Sequence, residues 1–244
     1  MMNALKEKIR NGYLDLSIKG AYKLNVSYEG LKNLINKRRP DIQGWVPLSE
    51  IRYFIPNQAL ASQFSPNRVR KPELPAFILT GDWDKEKKSI DEHYTQQSTS
   101  YRSVMQILEK GMDFRQCDEY KEKKKLIKIT GHSARGKSLY ELDQYFEDLI
   151  KLKNSINKNG YKTQKELGKD NGDEIGVFCG RSGELLKAED KFCGTHRFAI
   201  AKHLDLPKVY VKIIAVHEEW ARQNIQKIAE RDCSGIFIQK SIQR

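Results

Sequence analysis

The sequence lacks any apolar run that approaches the roughly 20 residues of a membrane-spanning helix. Its four cysteines are scattered and none forms a Cys-x-x-Cys pair, so neither a disulfide framework nor a paired zinc site is expected. The first ten residues contain no hydrophobic signal core, and no internal repeat or low-complexity tract occurs. These absences predict a globular protein located in the cytoplasm, without a membrane partner.

Charge, in contrast, is abundant. Among 244 residues, 44 are Lys or Arg and 32 are Asp or Glu, which gives a net charge of +12. The length is enough for one large or two modest domains, and hydrophobic residues make up 39% of the chain, as in a polar globular protein. The basic balance favours polyanionic partners or phosphate ligands, with a merely solvated basic surface as the open alternative.

Residues 173–217 carry most of the functional signal. Their pattern predicts two short strands joined by a glycine turn, then a loop, a helix and an apolar strand. Gly194, Thr195, His196 and Arg197 fall where the helix begins. Unpaired helix N–H groups, a close-approach glycine, a hydroxyl and a guanidinium together predict a phosphate site, with His196 able to move a proton. The alternative is a glycine turn before an amphipathic helix, with the histidine and arginine solvated.

The same stretch resembles the ParB/sulfiredoxin superfamily. The Gly-Thr-His-Arg tetrapeptide is similar to its Gly-x-His-Arg box, residues 198–201 to the helix that follows, and residues 206–211 to the loop and the start of its core strand. Residues 46–51 resemble the segment that opens ParB-type domains. The resemblance implies an α+β fold: a small mixed sheet with a helical insertion and helical flanks. The expected segments are a basic helical segment (1–45), the first part of the ParB/sulfiredoxin-like domain (46–84), a helical insertion (85–172), the box-bearing core (173–220) and a C-terminal helix and tail (221–244).

Members of that superfamily hold nucleotide phosphates with the box. Sulfiredoxins use ATP to repair an oxidised cysteine, a related branch phosphorylates serine, and ParB proteins bind CTP and clamp DNA. Thr195 stands where sulfiredoxins have their catalytic cysteine, so redox chemistry is not expected here. The resemblance implies binding of ATP or another nucleoside triphosphate with Mg²⁺, and a nucleotide-dependent phosphotransferase. Alternatives are a non-catalytic DNA-binding or CTP-type nucleotide-sensing module, or a ParB-like nuclease.

Three acidic residues are candidates for the chemistry. Glu50 lies in the ParB-like opening segment, which in related kinases carries a glutamate near the acceptor, so the resemblance implies a catalytic role. Asp82 and Asp84 flank Trp83 after a predicted strand and could hold a metal. The other interpretation of that tripeptide is a polar turn anchored by a buried tryptophan.

A formal match to the Walker A pattern occurs at residues 131–138, preceded by an apolar stretch at 126–130 that predicts a strand. A true phosphate-binding loop would use Lys137, but the alternating strands and helices of such a domain are missing. Two alternatives are a basic loop that brings Arg135 or Lys137 to the box, and a plain loop whose Ser138 caps the next helix. That helix is predicted from Leu139 to about Ile156 by its apolar face.

A small basic patch supplies the nucleic-acid alternative. Arg68, Arg70 and Lys71 lie in a proline-containing segment and would contact phosphates, which would make binding strongly salt-dependent.

Overall fold

The computed structural model describes residue 21 and residues 26–63, 76–133, 135–169, 174–189 and 194–230. Within these residues the protein has a mixed α+β fold, with one open sheet and helices. The strands are β1 (Gln43–Pro47), β2 (Tyr53–Ile55), β3 (Ile78–Leu79), β4 (Lys88–Ser89), β5 (Ile175–Cys179), β6 (Leu185–Ala188) and β7 (Lys208–His217). The α-helices are α1 (Tyr28–Arg38), α2 (Thr95–Gln97), α3 (Thr99–Leu108), α4 (Asp118–Thr130), α5 (Leu139–Asn159), α6 (Thr195–His203), α7 (Glu218–Gln223) and α8 (Ile225–Glu230).

The sheet is organised around its longest strand, β7. The strand order is β1-β7-β5-β6-β2-β4, and β3 also pairs with β7. Strand β7 runs antiparallel to β1 and parallel to β3 and β5, while β5 and β6 form an antiparallel pair. Strand β2 is parallel to β6 and antiparallel to β4. The predicted small mixed sheet is therefore confirmed.

Both faces of the central strands are apolar. On one face, Val177, Val211 and Ile213 pack into a large cluster that also contains Phe146 of α5 and Phe198 of α6. On the opposite face, a smaller cluster forms, with members from the sheet and its connections: Ile55, Leu60, Leu79, Trp83, Phe178, Leu186 and Ile214. The alternation of side chains along a strand produces this division. Helix α6 is thereby fixed over the centre of the sheet.

Most of the predicted elements of the box region are confirmed. Strands β5 and β6 are joined through Gly183, whose φ of 81° suits a tight turn, and α6 and β7 follow as the pattern predicted. The α5 helix is also confirmed, with Leu142, Phe146 and Leu149 on its buried face and Gly160 at its end. Within the described residues, no helix is both long and apolar enough to cross a membrane.

The interpretation of residues 126–130 as a strand is wrong. They form the last turns of α4, which begins with Asp118 and Glu119 in its first turn and ends at Gly131 with a φ of 76°. A helix therefore precedes the Walker-like residues, and the strand that a phosphate-binding loop requires is not there. Instead, the Ser138 hydroxyl accepts a hydrogen bond from the Glu141 N–H at 3.1 Å and caps α5, as the plain-loop interpretation predicted.

Gly194 lets α6 begin directly against the sheet. Its φ of 82° lies in the left-handed region, and a Cβ atom there would stand 2.6 Å from the Ile175 Cα and 2.8 Å from the Glu174 carbonyl oxygen. Both atoms belong to backbone, which cannot move aside as a flexible side chain can. Glycine is therefore required at this position for two reasons: the backbone is left-handed, and a Cβ atom would overlap the backbone of residues 174 and 175.

We expect Gly194→Ala to lower the free energy of unfolding by about 3 kcal/mol or more, because a left-handed alanine costs about 1 kcal/mol and the backbone overlap adds to it. Gly160→Ala is the matched control, since Gly160 has a φ of 74° but nothing within 4 Å of its added Cβ. Urea denaturation of both variants measures the difference. Equal losses would show that α6 does not approach β5 closely.

Candidate functional site

The amino end of α6 is the centre of the candidate site. Helix α6 begins at Thr195 after the left-handed Gly194, and the Phe198 N–H closes the first turn by donating to the Gly194 carbonyl at 2.8 Å. No side chain among the described residues caps this helix. The N–H groups of its first turn, with the positive end of the helix dipole, are oriented toward the space before Thr195.

A buried lysine lies beside this helix end. Lys187 is fully buried on β6, and its ammonium donates to the Ala188 carbonyl at 2.8 Å and lies 3.4 Å from the Thr195 hydroxyl. The Thr195 hydroxyl in turn donates to the Glu189 carbonyl at 3.4 Å. A cationic side chain and the positive end of a helix therefore meet at Thr195, an arrangement that favours an anion.

The His196 ring is held at both nitrogens. Its Nε2 lies 2.8 Å from a Glu119 carboxylate oxygen, and its Nδ1 lies 3.0 Å from the Tyr145 hydroxyl. Glu119 belongs to α4 and Tyr145 to α5, so the histidine connects α6 to both helices. Because a carboxylate only accepts hydrogen bonds, Nε2 carries a proton and, in the neutral ring, Nδ1 accepts from the tyrosine hydroxyl.

Glu119 is the buried acid of this cluster. Its carboxylate also accepts a hydrogen bond from the Arg135 Nε at 2.9 Å, and its backbone N–H donates to the Ser103 hydroxyl at 2.7 Å. Burial alone would raise the pKa of Glu119, but the hydrogen bond and charge of His196, together with Arg135, lower that pKa to about 2. Glu119 is therefore a fixed negative charge at neutral pH.

Arg197 points to a different set of partners. Its Nε donates to the Tyr161 hydroxyl at 3.2 Å, a terminal nitrogen donates to the Lys162 carbonyl, and the guanidinium stacks 4.6 Å from the centre of the Tyr161 ring. The Glu174 carboxylate lies 4.0 Å away, and Arg197 is only 4% exposed. This guanidinium is engaged in joining α6 to the segment that follows α5.

The sequence pattern predicted one phosphate site that includes both His196 and Arg197, but the two side chains diverge. Successive residues of a helix point roughly 100° apart, and here each side chain is bonded to its own partners on different segments. Of the four box residues, Gly194 and Thr195 border the space at the helix end through their backbone and hydroxyl. His196 and Arg197 hold the helix in position.

The basic loop at residues 131–138 contributes to the site through Arg135. Besides its bond to Glu119, the Arg135 guanidinium lies 4.8 Å from the centre of the Tyr145 ring. Lys137 is exposed just before α5 and has no described contact with the box residues. Arg135 thus contacts the partners of His196 and not the box residues themselves, and no described contact joins Lys137 to the box, so its phosphate role stays a prediction.

Asp82 and Asp84 do not form a metal pair. Arg181 occupies the position between them: its guanidinium donates to the Asp82 carboxylate at 2.8 Å and to the Asp84 carboxylate at 2.8 Å. Burial would raise the pKa of Asp84, but the hydrogen bonds from Arg181 outweigh it and lower that pKa. Within the described residues no three His, Cys, Asp or Glu side chains gather as a metal site would require. With Trp83 buried, the anchored-turn interpretation is the correct one.

The remaining predicted site residues are Glu50 and the basic patch Arg68, Arg70 and Lys71. Glu50 lies exposed in a 3₁₀ turn, Leu48–Glu50, between β1 and β2, and both nitrogens of His196 are already bonded to other groups. The structure therefore does not join Glu50 to His196. The nucleic-acid residues Arg68, Arg70 and Lys71 lie outside the described residues.

The sequence interpretation missed Glu119, Tyr145 and Lys187. Glu119 sits in a charge-dense run that is typical of a solvated face, and only its pairing with His196, 77 positions away, reveals its burial. Tyr145 adjoins the apolar face of α5 and gave no separate signal. Lys187 did carry one: a lysine within the apolar strand Leu-Leu-Lys-Ala indicates a buried charge.

We expect Glu119→Gln to be less stable than wild type at pH 7. The difference in the free energy of unfolding should be on the order of 3 kcal/mol, because this is the stabilisation that corresponds to the lowered pKa of Glu119. A lowered pKa stabilises the fold above the ordinary value of 4.5, and this contribution is lost as the pH falls toward about 2. The difference between the two proteins should therefore shrink over that window in chemical denaturation.

The matched control is Glu122→Gln, on the same helix but half-exposed and, within the described part of the chain, paired with its neighbour Lys123. It should show little pH-dependent difference from wild type. A stability gap for Glu119→Gln that stays constant from pH 7 to pH 3 would contradict the assigned ion cluster.

Comparison of the chain with protein-family models, curated proteins and solved structures found no match. The resemblance to ParB and sulfiredoxin proteins therefore rests on the box residues and their order along the chain.

Proposed function

We propose that this protein binds a nucleoside triphosphate such as ATP, with its phosphates at the amino end of α6, and transfers a phosphoryl group to a hydroxyl acceptor. The observation that carries the proposal is the buried Lys187 ammonium 3.4 Å from the Thr195 hydroxyl, at a helix start that none of the described side chains caps. Phosphate oxygens are the natural complement of such a site because they accept from N–H, hydroxyl and ammonium groups at once. The resemblance of the box to nucleotide-binding proteins supports the same conclusion.

The roles of the box residues differ in this proposal from those predicted by sequence. The backbone of Gly194 and Thr195 and the Lys187 ammonium hold the phosphates, while Arg197 stays with Tyr161 as a structural residue. Mg²⁺ commonly binds through phosphate oxygens and water with few protein ligands, so the proposal assigns the ion to the triphosphate rather than to Asp82 and Asp84.

The His196 cluster provides a route for the proton of the acceptor. Tyr145 is partly exposed, whereas Glu119 is fully buried, so the proposal has the acceptor approach the cluster from the side of Tyr145. As the acceptor oxygen attacks the terminal phosphorus, its proton passes to the Tyr145 oxygen and the tyrosine proton passes to His196 Nδ1. The Glu119 carboxylate then stabilises the imidazolium that forms. The bond between the terminal phosphorus and its bridging oxygen breaks, and the nucleoside diphosphate leaves.

The affinity for ATP tests the proposed phosphate site at Lys187 and Thr195. Lys187→Met keeps the length of the side chain but removes its charge, and we expect the affinity for ATP to fall roughly 10- to 100-fold, as loss of a charge-assisted hydrogen bond implies. Isothermal titration calorimetry with and without Mg²⁺ measures this change. Thr195→Val, which removes only the hydroxyl, should give a smaller loss.

Lys202→Met is the matched control, because Lys202 is on the same helix at its opposite end and pairs with Asp91. It should leave the affinity unchanged. Folded Lys187→Met and Thr195→Val proteins that bind ATP as tightly as wild type would refute the phosphate site.

The rate of phosphate release from ATP tests the proposed proton route through Tyr145. We expect Tyr145→Phe to lower the rate of phosphate release from ATP, with water as the acceptor, by roughly 100-fold at unchanged ATP affinity, since general acid–base groups contribute about that factor. Tyr140→Phe is the control, because Tyr140 lies on the same helix and is largely exposed. If wild-type protein binds ATP but Tyr145→Phe releases phosphate at the wild-type rate, the proton route is wrong while the binding site stands.

A further inference from the structure

The outer face of the β1/β7 pair combines aromatic and basic side chains. In the antiparallel register, Gln43, Trp45 and Pro47 lie opposite Lys212, Tyr210 and Lys208. The alternate residues Val46, Val209 and Val211 are buried on the other side. We call this set of six residues the aromatic face. It lies at the edge of the sheet, because β1 is the terminal strand of the path.

Trp45 is the dominant side chain of the aromatic face. It is 40% exposed, whereas the other two tryptophans, Trp83 and Trp220, are 3% and 6% exposed. Edge-on contacts with Tyr161 at 5.8 Å and Tyr210 at 5.5 Å fix the orientation of its ring. A large aromatic ring that is oriented by its neighbours and left open to solvent is a preformed stacking surface.

Positive charge accompanies the ring. The Lys208 ammonium lies 5.0 Å from the centre of the Trp45 ring, and Lys212 lies four positions along the same strand, where it pairs with Asp41 at 3.2 Å. Lys208 is exposed, so its ammonium can move from the ring to a phosphate without breaking a buried contact. The chain as a whole carries a net charge of +12, which favours polyanionic partners.

We propose that the aromatic face binds single-stranded nucleic acid, with an unpaired base stacked on Trp45 and the neighbouring phosphate contacted by Lys208. Stacking platforms flanked by lysines are how proteins hold unpaired bases with little sequence preference. In a duplex the faces of the bases are already stacked, so this face selects single strands. The site is distinct from the proposed phosphate site at α6, because that site is built from Gly194, Thr195 and Lys187 and shares no residue with the aromatic face.

Tryptophan fluorescence gives a direct test. Binding of a 12-nucleotide oligo(dT) or oligo(U) should quench the emission of Trp45, the one exposed tryptophan of the three. Trp45→Ala should weaken binding roughly 5- to 100-fold in fluorescence anisotropy with a labelled oligonucleotide. Trp45→Phe should keep most of the affinity and abolish the quenching. Lys208→Gln should reduce the salt dependence by about 0.7 in the slope of log affinity against log salt.

Tyr53→Ala is the matched control. Tyr53 is 38% exposed and has the Lys87 ammonium 5.4 Å from the centre of its ring, but it lies on β2, toward the other end of the sheet. It should bind both oligonucleotides as wild type does, and so should Lys187→Met, which separates this site from the nucleotide site. The oligo(dT) and oligo(U) arms show whether DNA or RNA is preferred.

Three results would overturn the proposal. One is unchanged affinity of folded Trp45→Ala for both oligonucleotides. Another is equally tight binding of a 12-base-pair duplex, and the third is equal quenching by a mononucleotide such as dTMP at the same concentration, which would indicate a mononucleotide pocket instead.

Discussion

The ion cluster around the Glu119 carboxylate is the interaction on which the candidate site depends. A buried carboxylate is tolerated only when its charge is matched and its oxygens are hydrogen-bonded, and His196 and Arg135 satisfy both conditions. These contacts connect α4, the following loop and α6. The contact with Glu119 also fixes the proton of His196 on Nε2. The Glu119 carboxylate therefore determines both how these elements pack and which imidazole nitrogen is protonated.

The first turn of α6 shows how three neighbouring residues acquire different tasks. Thr195 faces the Lys187 ammonium, His196 faces the helical layer, and Arg197 faces Tyr161. A motif written as consecutive letters suggests one cluster of side chains, but a helix distributes those letters around its axis. The ligand-facing part of the box is consequently its backbone and threonine, supported by a lysine from β6.

Local patterns in the sequence were sufficient to predict β5, β6, α6, β7 and α5, because their apolar spacing and glycine boundaries agree with the tertiary structure. The same reasoning failed at residues 126–130, where an alternating apolar stretch is the continuation of a helix that Asp118 and Glu119 begin. Short β-branched runs cannot be assigned by period alone, and the length of the helix decided the outcome.

The contacts of the site could not have been predicted by the same means. Glu119 and His196 are 77 positions apart, and Arg181 reaches Asp84 across 97 positions. No period in the sequence encodes such pairings, since they depend on which elements the fold brings side by side. Asp84 illustrates the result: two acids that resemble metal ligands in sequence are the counter-ions of one arginine in space.

The position of β7 within the sheet also bears on how the protein is made. This strand is the last of the described strands along the chain, yet β1, β3 and β5 all pair with it. Strands near residues 43 and 78 must therefore wait for residues 208–217 before their hydrogen bonds can form. Such long-range pairing slows folding and leaves strand edges exposed in the meantime. During synthesis on the ribosome, the helical layer can begin to form while the sheet is still incomplete, and a chain arrested before β7 cannot close its core.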